Sequence, residues 1–452
     1  MLSKFRPYLA TLKPVPLALS VALALAAPRP AAAQEDNAKQ GSNSQTLWDR
    51  STLTGNWGGL RTQLESFGIT PFAEYTGQFA DAFAGGKRQG SGVASQLSFG
   101  FDADLAKMVD LQGATLHVTF NLRAGRSVLD DYTDGGAVDK LQAQGIYGSG
   151  ENLRLSLLEY EQALFNKRLN LRFGFFPVGD SFGDSLILCD FSNVSFCAHP
   201  QILPADSGWT DYPTAKLGGV VKVNLLDNLY VSAGVFDADD LNKEYLHQNG
   251  LRITSDGSTG TLIPYEIGYT SSLGASRLIG HYKLGGWYDT SDSPVLGEAA
   301  VDGITPEDKG RYGTYLFIDQ MVWKFQPGTE RGLILFGQAA IADRRTALFS
   351  TSVEAGFIAR GVMASRPADY LAVGYTRGAV NDASISLALK RNPHGNYANN
   401  EAVLEVGYGM SVTPWLLLYP DLQYVQNPDA FALPKARISN AYIAEIETKV
   451  KF

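Results

Sequence analysis

Glu159 and Glu161 stand two apart in LRLSLLEYEQALF, and Arg172 follows in LNLRFGFF, beyond the tight turn Asn166-Lys167-Arg168. Such groups form charge-assisted hydrogen bonds, the strong donors and acceptors with which a polar solute is held. Their neighbours decide how they can be used. Leu158, Tyr160 and Leu164 share the opposite face of the first segment, and Leu169, Leu171, Phe173 and Phe175 alternate with Asn170, Arg172 and Gly174 in the second. That is the period of two of a strand with one apolar and one polar face. A soluble sandwich packs its apolar faces together, whereas a membrane barrel turns them outward to lipid and leaves the charges to line water. Charge on the polar face fits the second arrangement.

The same parity places Glu74, Asp102, His117, Asn121 and Arg123 on inward faces of earlier strands, beside Thr76 and Gln78. Glu159 and Glu161 are then expected to face Arg123 and Arg172 across adjacent strands. Acids and bases at similar depth give fixed donors and acceptors with little net field, which suits a neutral polyhydroxyl solute better than an ion. Each of these groups is equally readable as a charge that hydrates the wall or braces a loop. Catalysis has no comparable support: His117, His199, His247, His281 and His394 are scattered, and no nucleophile elbow, zinc-protease helix or calcium loop accompanies them. No catalytic residue, cofactor or metal is expected.

Lys4, Arg6 and Lys13 precede the apolar run PLALSVALALAA and the small residues Ala31-Ala32-Ala33, the pattern of a secretory signal peptide over residues 1–33. The formal charge of the whole chain is −8, and this segment holds four basic residues and no acid, so the exported remainder is more acidic still and unsuited to nucleic acid. Residues 34–69 read as a periplasmic linker and a short amphipathic helix in NWGGLRTQLESFG, with Asn56 able to cap it and Gly68 to end it. The helix can dock at the barrel mouth or plug it.

Residues 70–452 read as an all-β, transmembrane antiparallel β-barrel of about sixteen strands. They are expected at 70–80, 95–105, 114–124, 153–165, 168–176, 215–224, 228–236, 264–271, 278–288, 312–325, 331–341, 352–362, 370–377, 401–410, 415–425 and 439–452, and the abundance of Gly, Tyr and Phe (47, 21 and 23 residues) suits turns and aromatic girdles. The long connections 125–152, 177–214, 237–263, 289–311 and 378–400 are expected on the outer side. The longest, 177–214, can fold into the lumen or lie outside as a lid. Cys189 and Cys197 lie within it, as a small disulfide or as two thiols. The last strand, SNAYIAEIETKVKF, ends in full alternation on Phe452, similar to the C-terminal signal read by the barrel assembly machinery of Gram-negative outer membranes.

LTGNWGGLRTQL at 53–64, LLEYEQALF with LRFGFFPVGDSFG, KGRYGTYLFIDQMVW from Lys309 and VTPWLLLYPDLQYVQNP from Val412 resemble blocks of the carbohydrate-selective porins of the OprB family, in the same order and over nearly the whole mature chain. The resemblance implies a sixteen-stranded barrel that passes small sugars such as glucose; a general diffusion pore without sugar preference is the alternative. The partners expected are small neutral carbohydrates, outer-membrane lipid and lipopolysaccharide, the assembly machinery, and further copies of the chain in a homo-oligomer.

Overall fold

The computed structural model describes residues 46–133, 141, 143–146, 153–185, 187, 189–239, 250–251, 253–255, 257–434 and 438–452. The expected signal peptide and the linker from Gln34 to Gln45 lie outside them. Among the described residues there are sixteen strands: β1 (Ile69–Gly86), β2 (Gly90–Asp104), β3 (Ala114–Arg126), β4 (Arg154–Leu164), β5 (Leu169–Phe176), β6 (Lys216–Leu226), β7 (Leu229–Asp239) and β8 (Ser258–Leu273). They continue as β9 (Leu278–Pro294), β10 (Glu307–Lys324), β11 (Gly332–Ala342), β12 (Phe349–Arg360), β13 (Tyr370–Val380), β14 (Asn400–Thr413), β15 (Leu416–Gln426) and β16 (Ser439–Lys451).

Each strand pairs antiparallel with its sequence neighbours, and β1 pairs with β16 to close the barrel. Closure leaves no sheet edge, so every strand satisfies its backbone groups without water, as hydrocarbon requires. Tyr75, Phe79, Leu316, Tyr375, Leu404, Leu422, Tyr442 and Ile446 point outward and are exposed. Their inward neighbours Thr76, Gln78, Glu354, Glu405, Asp421, Glu445 and Glu447 are buried. The polar face is the interior.

β1 and β2 run further than expected, meeting in a hairpin at 87–89 with Asp81 opposite Ser91. The stretch ADAFAGGKRQGSGVAS has too few large apolar residues to show alternation, yet the backbone ladder continues through it. A strand that rises out of the lipid layer has no need of an apolar face.

The helix α1 (Leu60–Phe67) follows a single 3-10 turn at Trp57–Gly59. Asn56 caps it from a distance, its Oδ1 accepting from Thr62 N and Thr62 Oγ1 at 3.0 Å each, and Gly68 ends it at φ 106°, in the left-handed region open to glycine. No residue of α1 is buried. Arg61 Nη2 donates to Phe452 O at 2.8 Å and Leu53 N to Lys451 O at 2.7 Å, so the helix is tied to the rim where β16 ends and does not enter the lumen. At the same rim lie the turn-sized connections between β4 and β5, β6 and β7, β8 and β9, and β14 and β15.

At the other mouth the longest connection takes the inward of the two courses open to it, and it is the burial of part of 125–152 that departs from expectation. The segment 177–215 turns into the barrel. It carries the short helices α4 (Val194–Cys197) and α5 (Ile202–Asp206), numbered after α2 (Leu105–Val109) and α3 (Leu129–Tyr132). Inward carboxylates hold it: Glu266 accepts from Gly183 N at 2.7 Å, Glu405 from Ser192 N at 2.9 Å and Asn193 N at 3.1 Å, and Asp289 from Gly208 N at 2.7 Å. Asp206 of the loop accepts in turn from Leu348 N and Phe349 N on the opposite wall, at 2.5 and 3.1 Å. Apolar side chains fill the remaining space, with Trp209, Phe182, Phe191, Phe196, Ile202 and Leu203 all at 1% exposure or less. Cys189 and Cys197 are joined in this loop as a disulfide.

Part of the β3–β4 connection is inside as well. Ile146 N donates to Gln78 Oε1 at 2.9 Å, Gly145 N to Ser192 O at 2.7 Å, and Asp131 is buried under Arg88 and Arg126 at 2.7 and 2.6 Å. Residues 298–305 do lie open, with Val301 and Ile304 at 68% and 74% exposure.

Candidate functional site

Strand register sorts the inward groups of β1 to β5 into three rows. The first runs Asp102, His117, Glu159, at the ends of β2 to β4 nearest the chain termini. Asp102 Oδ1 lies 2.6 Å from His117 Nδ1, and Glu161 Oε2 lies 3.4 Å from His117 Nε2. Asn170 Nδ2 donates to Glu161 Oε1 at 2.5 Å. Arg172 donates to both oxygens of Glu159, from Nε at 2.5 Å and Nη2 at 2.6 Å, and from Nη1 to Asp180 O and Ser181 Oγ at 2.7 and 2.6 Å. Arg172 therefore braces the inward loop against the wall.

The second row is Glu74, Ser98, Asn121, Arg154. Tyr212 reaches it from the loop, donating from its hydroxyl to Ser98 Oγ at 2.8 Å and accepting from Asn121 Nδ2 at 3.1 Å, while Arg154 Nη1 donates to Thr214 Oγ1 at 3.2 Å. The third row is Lys449, Thr76, Gln96, Arg123, in which Arg123 Nε donates to Gln96 Oε1 at 2.8 Å and Lys449 Nζ to Cys189 O at 2.8 Å.

The pairing expected of Glu159 and Glu161 with Arg123 and Arg172 needs correction. Arg172 engages Glu159, Glu161 is shared by His117 and Asn170, and Arg123 lies two rows away on Gln96. Parity gives the face of a residue but not its height along the barrel, which only the register between strands supplies.

Between the loop and the wall of β16, β1, β2, β3 and β4 lies a cavity of about 730 Å³. Glu74, Arg123, Arg154, Asp180, Asp211, Tyr212, Glu447 and Lys449 line it, with Gln96, Ser98 and the edge of Trp209. A second cavity of about 380 Å³ continues the polar surface with Glu161, Asn170, Arg172, Lys222, Tyr230 and Lys283, and Asp180 borders both. Asn121 and Glu159 sit buried behind these surfaces, and the partly exposed Asp102 and His117 lie beside them toward the chain termini, in the networks that orient the lining groups. On the loop, Asp180 is open to both cavities yet hemmed in by protein, and the partial loss of hydration there raises its carboxyl to about 7 despite the nearby Arg172; burial raises the Tyr212 phenol, which remains a proton donor. His199, whose charge burial opposes, is raised on balance by Asp211, with Nδ1 to Oδ1 at 2.6 Å.

Sequence reasoning missed several lining residues for identifiable reasons. Gln96 and Ser98 share the parity of Asp102 and were within its reach. Arg154 was not: the register slips between Thr119 and Phe120, leaving Ser156 as an extra residue in β4 that flips the chain, so Arg154 faces inward although its parity differs from Glu159. Tyr212, Asp211 and Asp180 lie on a loop with no periodicity at all.

The family described as "Carbohydrate-selective porin, OprB family" matches residues 88–452. Porin B of Pseudomonas aeruginosa is 28% identical over 421 residues, covering 88% of this chain and 91% of that protein. The high pH structure of Pseudomonas putida OprB aligns with a TM-score of 0.82 at 25% identity, over 90% of this chain and all of that one. The low pH structure of Pseudomonas putida OprB, at 20% identity and a TM-score of 0.59 over 90% and 99% of the two chains, shares the fold. These relatives are channels, not enzymes, and place the barrel in a Gram-negative outer membrane. With a match across most of its length and a closed sixteen-stranded barrel around polar cavities, the chain belongs to the OprB family of carbohydrate-selective porins.

Proposed function

We propose that this porin passes small neutral sugars such as glucose by passive diffusion, and that selection takes place in the passage between the inward loop and the wall from β16 to β4. The observation that carries this is the lining of the 730 Å³ cavity. Four carboxylates (Glu74, Asp180, Asp211, Glu447) stand among three fixed cations (Arg123, Arg154, Lys449), so donors and acceptors are dense while the net field is small. A sugar exchanges its hydration for such groups, and an ion of either sign meets charge of its own kind. The partly exposed Tyr212 adds an aromatic surface suited to the apolar face of a pyranose ring. The chain needs no energy source for this role, only a wet route of the right width.

Ion current through single reconstituted barrels, with and without glucose, tests the proposal. Glucose is expected to reduce the current, and Arg154→Gln or Glu74→Gln to relieve the block roughly ten- to a hundredfold, the weight of one charge-assisted hydrogen bond of about 1.5–3 kcal/mol. A current indifferent to glucose, with amino acids of matched size entering liposomes as fast as sugars, assigns the chain to general diffusion. In the cell, lipopolysaccharide outside, the assembly machinery during insertion and a homo-oligomeric arrangement belong to the same proposal.

A further inference from the structure

The cluster of Asp102, His117, Glu159 and Glu161 on β2, β3 and β4 has a geometry that wall hydration does not require. His117 Nδ1 faces Asp102 Oδ1 at 2.6 Å, an ordinary charge-assisted distance. On the other side of the ring, Nε2 and Glu161 Oε2 stand 3.4 Å apart, well beyond the roughly 2.7–2.9 Å of a hydrogen bond between imidazolium and carboxylate. Two ligand atoms each about 2.1 Å from a tetrahedral ion are separated by about 3.4 Å. Ligand atoms of His117, Glu159 and Glu161 all lie within 4.8 Å of one another.

Each of these three ligands is also held by a partner from a neighbouring strand. With His117 in its neutral form, Asp102 accepts the Nδ1 proton and leaves Nε2 its lone pair; Asn170 holds Glu161 by Oε1 and leaves Oε2 nearest the ring; and Arg172 takes one contact from each oxygen of Glu159, each of which keeps a second lone pair for an ion. A carboxylate behind a ligating imidazole is the arrangement that makes it a better donor to a metal. Charge agrees: Asp102, Glu159 and Glu161 against Arg172 leave two negative charges before His117 is counted, a surplus that draws a cation to the ring. The side chains of His117, Asp102 and Glu161 are 24%, 47% and 34% exposed, so an ion can enter from the mouth nearest the chain termini.

We propose that His117 Nε2, Glu161 Oε2 and Glu159 bind a divalent cation of zinc type, with a fourth position open to water. One imidazole among carboxylates favours zinc over magnesium or calcium, which prefer all-oxygen shells. The site lies one row away from the sugar passage, so it stands whether or not that passage selects sugars.

The test is calorimetric titration of zinc chloride into purified, chelator-dialysed barrel carrying no polyhistidine tag, with folding of every variant checked by heat-modifiable migration. One equivalent of zinc is expected to bind per chain. His117→Ala should abolish it, Asp102→Asn should weaken it roughly 10- to 100-fold through the lost support, and magnesium should not displace it. Undiminished binding in folded His117→Ala, displacement by equimolar magnesium, or no uptake by the parent barrel overturns the site. The last result means that His117 is an imidazolium bridging two acids.

Discussion

Trp209 offers the sharpest test of the inward loop. Its side chain is 0% exposed, set against Phe182, His199 and Tyr315 at ring separations of 6.4, 5.4 and 6.0 Å, and its indole Nε1 donates to Asp211 Oδ1 at 3.1 Å. Trp209→Ala leaves a cavity at the centre of the docked segment, at a cost of about 3–5 kcal/mol. None of the strand ladders uses Trp209, so this cost falls on loop docking and not on the barrel. At about 1.4 kcal/mol per decade, the ratio of docked to undocked loop falls by roughly two to three and a half decades. Single-channel recording should then show larger and noisier conductance, and protease added to reconstituted barrels should cut within 177–215, while heat-modifiable migration stays that of the parent. A quiet, parental conductance with the loop still protected would refute the reasoning, because it would mean that the carboxylate anchors hold the loop unaided.

Other outcomes follow from particular contacts. Ile304→Cys should react with an impermeant maleimide on intact cells and Asp131→Cys should not, since Ile304 is 74% exposed and Asp131 is 4% exposed; equal labelling of both would displace the β3–β4 connection from the interior. Phe452→Asp tests the proposed assembly role of the aromatic that follows β16 and should lower the yield of folded barrel; the backbone bond from residue 452 N to Ala73 O at the β1–β16 seam is open to the variant too, so parental amounts of heat-modifiable protein would remove that role from the side chain. Asp180 opens onto both cavities and faces Arg172, Glu159, Asp211 and His199; partial desolvation between loop and wall raises it to about 7, so it is neutral at pH 5 and charged at pH 8. Cation preference measured by reversal potential should therefore rise with pH through about 7 in the parent and lose that step in Asp180→Asn; the same step in the variant assigns it to another group.

Legibility in the sequence followed the source of each constraint. Lipid imposes its demand residue by residue, so Tyr442, Ile446, Phe173 and their like announce outward faces, and sixteen strands could be counted from alternation alone. The inside of the barrel answers to contacts between distant segments. Glu405 reads as one more inward acid, and nothing in its neighbours says that it will hold Ser192 and Asn193. His117 shows no ligand spacing to Glu159 and Glu161, the proposed cation site, because pairing of β3 with β4, and not one helix or loop, brings them together. The slip at Ser156 hid Arg154 for a related reason: one unpaired residue reverses every face beyond it, and small polar side chains do not betray where that happens.

The asymmetric filling of the lumen has a practical consequence for redesign. Because the inward loop is seated on β8, β9, β14 and β15, and on the β11–β12 turn, those inner faces serve as a fixed bed, and replacing their acids risks unseating the loop rather than retuning the pore. The wall of the larger cavity comes from five strands, β16 and β1 to β4, and the smaller cavity adds inward groups of β5, β6, β7 and β9. A library confined to the wall positions of the larger cavity varies the strand groups of the proposed sugar site and leaves intact the bed on which the loop rests.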